Sequence, residues 1–172
     1  MAFANISKFK NINDYLPILN GCLNADLIII VLAFHNVFGA YLKKWYTTFQ
    51  LNALLADTLI LMIGIVIARY FYSYIFTEYS IVKFTGLAIV IQIIHDLLFA
   101  LFFNSVPRGY HYMLDFFKDY AKEVGFKAIL GDSAMMAIAC LLSSYLASFS
   151  INTNIITLIV SLYYAPYLLN YE

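Results

Sequence analysis

Charge is scarce in this chain. Only 12% of its 172 residues are Asp, Glu, Lys or Arg, 63% are hydrophobic, and mean hydropathy is +0.81. Soluble domains carry roughly 25% charged and about 45–50% apolar residues, and a soluble fold of this length has too much surface to hide such an excess. The composition predicts one domain and a polytopic membrane protein. The few charges cancel, ten basic against ten acidic. No basic stripe is left to hold nucleic acid.

Cysteine is nearly absent too. Cys22 precedes the first predicted span and Cys140 falls inside a later one, so a disulfide framework is excluded and both read as small packing residues. The opening segment "MAFANISKFKNINDYLPILNG" has no continuous apolar core after its charges, so it does not read as a cleavable signal. Metal and enzyme signatures are missing as well: no H-x-x-x-H, C-x-x-C, Gly-rich phosphate loop, G-x-S-x-G or HExxH occurs. No catalytic residue, metal ligand set or cofactor is therefore expected. Turn signals for a β-barrel and an internal repeat are likewise lacking.

What the chain does have is long apolar runs. A membrane helix needs roughly 20 mostly apolar residues, and five runs qualify, at about 23–42, 52–72, 81–103, 127–149 and 154–169. Four spans is the alternative, because the fifth run is short and carries Pro166. Lys43-Lys44-Trp45-Tyr46 reads as an interface anchor after the first span, and Arg69 lies close enough to the end of the second to snorkel. The excess of basic residues beside Lys43 and Lys44 places that side in the cytosol. The predicted fold class is an all-α, polytopic transmembrane bundle.

Between spans three and four, "GYHYMLDFFKDYAKEVGF" is amphipathic at helical spacing over about 110–124. Tyr110, Met113, Leu114, Phe117, Tyr120, Ala121 and Val124 share one face, and His111, Asp115, Lys118, Asp119 and Lys122 the other. The pattern predicts an interfacial helix lying in the headgroup plane; a helix packed on protein is the alternative.

Polar residues inside the runs carry the functional question. An Asp at a span centre costs about 2.5–3.5 kcal/mol on insertion scales, so it faces protein or water. Antiparallel threading of the spans puts His35, Asn36, Asp57, His95, Asp96 and Asp132 in one leaflet, and Gln92 joins His95 and Asp96 on one helix face. Asp26 lies near the predicted start of its span and reads as interfacial. In span two, Asp57 shares a face with Gly64 and Ala68, and Cys140, Ser144 and Ser148 form a small-residue stripe in span four.

Three readings stay open. The polar groups can clasp helices to one another, since apolar tails supply no hydrophobic drive between helices. They can form a proton or cation path, since His titrates near neutrality and carboxylates complete relays. Against that, no TVGYG-type filter and no Arg-rich sensor helix is present. A metal or enzyme site is the third reading, with His35, His95 and nearby carboxylates as candidate ligands.

At "IIHDLLFALFFNSVPRGYHYMLDFFKDYAKEVGFKAILGDSAMM", residues 93–136, the chain resembles polytopic membrane proteins of nucleocytoplasmic large DNA viruses, the giant viruses. The resemblance rests on His95-Asp96, Pro107-x-Gly109, "DFFKDYAKEVG" and "ILGDS". It implies a small all-helical protein of a viral or virus-modified membrane, such as the internal membrane of the virion, and it carries no catalytic residue. The expected role is then a structural or scaffolding membrane component. Its partners would be the lipid bilayer and, through the amphipathic segment and the two-lysine loop, a capsid or another membrane protein, with a homo-oligomer left open. The alternative is a small proton or cation channel or transporter using the intramembrane cluster.

Overall fold

In the computed structural model, which describes residues 3–37 and 39–170, the chain is helical, with no strand among the described residues. Seven α-helices follow a short 3-10 turn at Ile12–Asp14: α1 (Tyr15–Phe34), α2 (Ala40–Phe49), α3 (Leu51–Ile75), α4 (Ile81–Ser105), α5 (Tyr112–Val124), α6 (Phe126–Leu146) and α7 (Ile151–Leu169). Four segments are long and apolar enough to cross a membrane: Ile12–Phe34, Leu51–Ile75, Ile81–Ser105 and Phe126–Leu146. The protein is a membrane protein on that ground. The fifth predicted run is α7, a helix that is not among those four.

Local chemistry sets the helix ends. Ser80 and Ser150 cap α4 and α7 by accepting from the backbone N–H groups of Lys83 and Thr153. Val106-Pro107 stops α4, because the ring disfavours helical backbone in the preceding residue. Gly125, at φ 56°, makes the corner between α5 and α6 that a side chain would strain. Gln50 turns the corresponding corner between α2 and α3 at φ 46° and ψ −120° without being glycine.

Helices α1, α3, α4 and α6 form a ring in which α1 meets α3 and α6, and α4 meets the same two; α7 packs on the outside of α1. The chain threads up and down. Residues near the N-terminus meet the ends of α3 and α6, as Arg69 Nη2 donates to the Lys8 carbonyl at 2.6 Å and Ser144 Oγ to that of Ala4 at 2.6 Å. At the opposite side α2 touches α5. We call these the N-terminal side and the α2–α5 side.

A close helix approach joins α1 to α6 near the N-terminal side. A Cβ on Gly21 would lie 2.5 Å from the backbone nitrogen and 2.7 Å from the Cα of Ser143. Gly64 of α3 is in a similar position against the Met136 side chain, at 2.8 Å from its Cε. Cys22 and Cys140 are free and buried.

Two boundaries differ from the sequence pattern, for a common reason. The first span runs over Ile12–Phe34 instead of about 23–42, because its polar residues are paired within the bundle. Asn20 Nδ2 donates to the Asn154 carbonyl of α7 at 2.8 Å, and Ser161 Oγ donates to Asn24 Oδ1 at 3.1 Å. Residues 40–49 consequently form a separate helix, α2, in which Trp45 and Tyr46 are buried against protein and do not anchor at an interface. Arg69 does not snorkel either. It is 0% exposed, donates through Nη2 to the carbonyls of Lys8 and Asn11, pairs with Asp14 at 3.0 Å, and stacks on the Tyr15 ring at 4.7 Å.

Candidate functional site: an acidic vestibule on one side of the bundle

On the α2–α5 side the ring of helices encloses a cavity of about 760 Å³. The carboxylates of Asp57 (α3), Asp96 (α4) and Asp132 (α6) line it, together with Gln92 and His95. Its walls are mostly apolar, with aromatic rings of Trp45, Phe99, Phe103, Phe116, Phe117 and Tyr120 among aliphatic side chains. The rim includes Val37, Gly39, Gly125 and Lys127, all exposed. Inward it stops at Leu61 on α3, Gln92 on α4 and Met135 on α6, about midway along each helix. The cavity is a vestibule that reaches from the α2–α5 side to about mid-bundle.

Antiparallel threading puts the three acids there. Asp57 is near the start of α3 and Asp132 near the start of α6, while Asp96 is past the middle of α4, which runs the other way. His35 and Asn36, which the sequence pattern groups with them, are exposed in the turn after α1 and are not among the residues lining the cavity. That follows from the early end of α1.

Each acid meets a different environment. Asp57 Oδ2 accepts from Trp45 Nε1 at 2.8 Å and lies 3.0 Å from the Tyr46 hydroxyl. The same hydroxyl is 2.8 Å from Oδ1 of Asp26, whose Oδ2 accepts from Thr58 Oγ1 at 3.1 Å. Asp26 is 0% exposed, at the middle of α1, and not interfacial. One tyrosine hydroxyl has one hydrogen to donate. The carboxyl groups of Asp26 and Asp57 therefore share that one hydrogen. Burial, followed by the neighbouring Asp57 and Asp26 charges, pushes the Tyr46 hydroxyl well above the usual tyrosine range and keeps it a donor.

Asp96 Oδ1 accepts from Gln92 Nε2 at 2.7 Å and lies 3.2 Å from His95 Nδ1. Its other oxygen is buried without a partner among the described residues. Asp132 has neither a hydrogen bond nor an ion pair among them. The side chains do not converge on a metal: no group of three His, Cys, Asp or Glu among the described residues could hold one.

Helix α5 roofs the vestibule. Its Phe116 ring lies 5.6 Å from Trp45 and 5.3 Å from Phe49, and Phe117 lies 5.0 Å from Phe99. The apolar face is thus covered by α2, α4 and α6 instead of lying free toward lipid. Met113, Phe117, Tyr120 and Val124 are on the covered face as the spacing predicts; Leu114 is half-buried beside it, and Tyr110, outside the helix, is 80% exposed. Phe116 is the most buried residue of α5 and was not placed on that face by the sequence pattern, although its spacing from Met113 and Tyr120 signals it. Burial and the charges of Asp132, Asp57 and Asp96 together raise the Tyr120 hydroxyl.

The roof is tied down at its start by polar contacts. Arg108 pairs with Asp119 at 2.7 Å, the Gly109 N–H donates to Asp115 at 2.7 Å, and Lys118 donates to the Val106 carbonyl. Set against known proteins, the chain matches no family model, no curated protein and no solved structure.

Proposed function

We propose that the protein is a structural, integral component of a membrane, its helices fixed to one another by polar clasps. One observation carries this reading: Asp26, Asp57 and Arg69, charged groups in the apolar segments, bond to neighbouring elements, while the cavity beside them ends midway. Asp26 and Asp57 meet through Tyr46, and Arg69 holds the N-terminal segment through Asp14 and two carbonyls. A conductor needs access from both sides, and the lining residues end at Leu61, Gln92 and Met135. The resemblance of residues 93–136 to giant-virus membrane proteins supports a viral or virus-modified membrane as the setting, with a capsid, another membrane protein or a second copy as partner.

The test is reconstitution in liposomes holding a pH-sensitive dye. Wild-type vesicles should stay tight under a proton gradient of either sense, and Asp57→Leu should lower thermal stability in detergent. A proton leak that Asp96→Asn or Asp57→Asn abolishes would overturn the structural reading in favour of conduction. Recovery with the internal membrane of purified particles tests the setting, and absence from them would refute it.

A further inference from the structure

The vestibule has features of a ligand site that the clasps do not explain. Its volume of about 760 Å³ lies within the roughly 300–1,000 Å³ typical of small-molecule pockets, which join apolar walls to a few polar groups. Three carboxylates line it, and the cationic residue among the lining, Lys127, is at the exposed rim. Neither Asp57 nor Asp132 has a Lys or Arg ion-pair partner among the described residues. Gln92, 4% exposed, gives its amide N–H to Asp96, and its carbonyl oxygen accepts nothing from those residues. Asp132 has no polar partner among them at all. A carboxyl left thus in an apolar helix is satisfied by a proton, water or a bound cation, and the adjoining cavity has room for the last.

The walls narrow the choice. The acids come from three helices and form no chelating group, which disfavours a bare metal ion. Aromatic faces beside carboxylates suit an ammonium group, which ring quadrupoles and negative charge both attract. Trp45, Phe99, Phe116, Phe117 and Tyr120 line the cavity beside the acids and supply aromatic and apolar area for the rest of the molecule.

We propose that the vestibule binds an organic cation, an ammonium group on an apolar body, with Asp132 as its principal counter-ion and the α5 aromatics around it. The ammonium could belong to a free hydrophobic amine or to an aminolipid headgroup. Both present the same chemistry to the site.

Trp45 is the chain's single tryptophan and lines the vestibule, so its fluorescence reports occupancy directly. The full chain is placed in nanodiscs of phosphatidylglycerol, which carries no ammonium, and titrated with benzyltrimethylammonium. Neopentylbenzene, the same shape with carbon in place of nitrogen, is titrated in parallel. The cation should give a saturable Trp45 response that the neutral isostere does not. Asp132→Asn should weaken binding by about tenfold or more, the loss expected when the negative charge beside a bound cation is removed. This substitution breaks no existing side-chain bond, and unchanged helical circular dichroism will confirm folding. Doping the discs with phosphatidylethanolamine distinguishes the sources: a fall in apparent affinity for the probe assigns the site to aminolipid, and no change assigns it to free amines. A missing response, equal binding of the isostere, or full affinity in folded Asp132→Asn would each overturn the proposal. None of these outcomes depends on whether the bundle is a scaffold.

Discussion

Gly21→Ala tests the packing of the bundle most directly, because helix propensity and tertiary contact predict opposite signs. In an open helix interior, alanine is better than glycine by roughly 0.5–1 kcal/mol. Gly86 in α4 meets nothing within 4 Å of an added Cβ, so Gly86→Ala should raise the melting temperature. At Gly21 the added carbon would lie 2.5 Å from the Ser143 nitrogen and 2.7 Å from its Cα, as well as against its hydroxyl. Backbone atoms cannot rotate away, so α1 and α6 must separate. Overpacking of this kind costs about 1–3 kcal/mol, and for a chain of this length each kcal/mol moves Tm by roughly 2–4 °C. Gly21→Ala should therefore lower Tm by roughly 2–12 °C, read by circular dichroism in one detergent alongside Gly86→Ala. Ser143→Ala, which gives up only a 3.4 Å hydrogen bond to the Ile18 carbonyl, should change Tm much less. If Gly21→Ala stabilises as Gly86→Ala does, the close crossing of α1 and α6 is wrong.

Other predictions address the clasps and corners. Asp14→Ala leaves Arg69 buried without its counter-ion and should cost up to about 3–5 kcal/mol, moderated by the carbonyls of Lys8 and Asn11; thermal melts against Arg69→Met measure it. Tyr46→Phe removes the hydroxyl between Asp26 and Asp57 and should cost about 1–3 kcal/mol, with faster amide exchange across α2; unchanged exchange would count against the bridge. Gln50→Gly should stabilise by about 1 kcal/mol, since glycine tolerates φ 46° and ψ −120°; a loss of stability would refute that corner geometry. The Gly109 N–H holds Asp115 below the usual aspartate range, and Arg108 does the same for Asp119. Because the folded values are depressed, these contacts contribute fully above the ordinary aspartate pKa and are lost as pH falls through the lowered values. Gly109 amide protection should follow that order, and exchange that slows on acidification beyond the intrinsic pH effect would contradict it.

The helical architecture was legible because bilayer-length apolar runs leave backbone groups no partner but their own helix. The positions of Asp57, Asp96 and Asp132 were legible too, since they need only alternating direction and depth along each run. The first span was not. Asn20, Asn24 and Asp26 look like a boundary in a hydropathy profile, and only long-range partners such as Asn154, Ser161 and Tyr46 make them interior. The same error displaced His35 and Asn36, and it hid α2, whose Trp45 and Tyr46 suit a headgroup anchor as well as a buried clasp. Arg69 shows the limit from the other end. A basic residue near a span terminus reads as snorkelling unless the segment that folds back over it is already known.

Residue size along one seam accounts for why the tight crossing of α1 and α6 and the vestibule occupy opposite sides. Where α1 meets α6 near the N-terminal side, the facing residues are small: Gly21, Cys22 and Ala25 against Ala139, Cys140, Ser143 and Ser144, all buried. Backbones can approach closely there, and dispersion rewards it. Toward the α2–α5 side the seam changes to Ile29 and Met135, which hold the helices farther apart, and both line the cavity. Helices α2 and α5 fill the resulting space with rings. Rings on two short helices do not interdigitate as a continuous seam does, and about 760 Å³ remains open among them. Replacing Gly131 of α6, which faces free space at the cavity wall, should therefore be tolerated where Gly21 is not. Gly131→Phe should narrow the vestibule and weaken amine binding while leaving Tm close to wild type. A large fall in Tm with binding intact would mean that the space at Gly131 is filled, and the link between seam and cavity would fail.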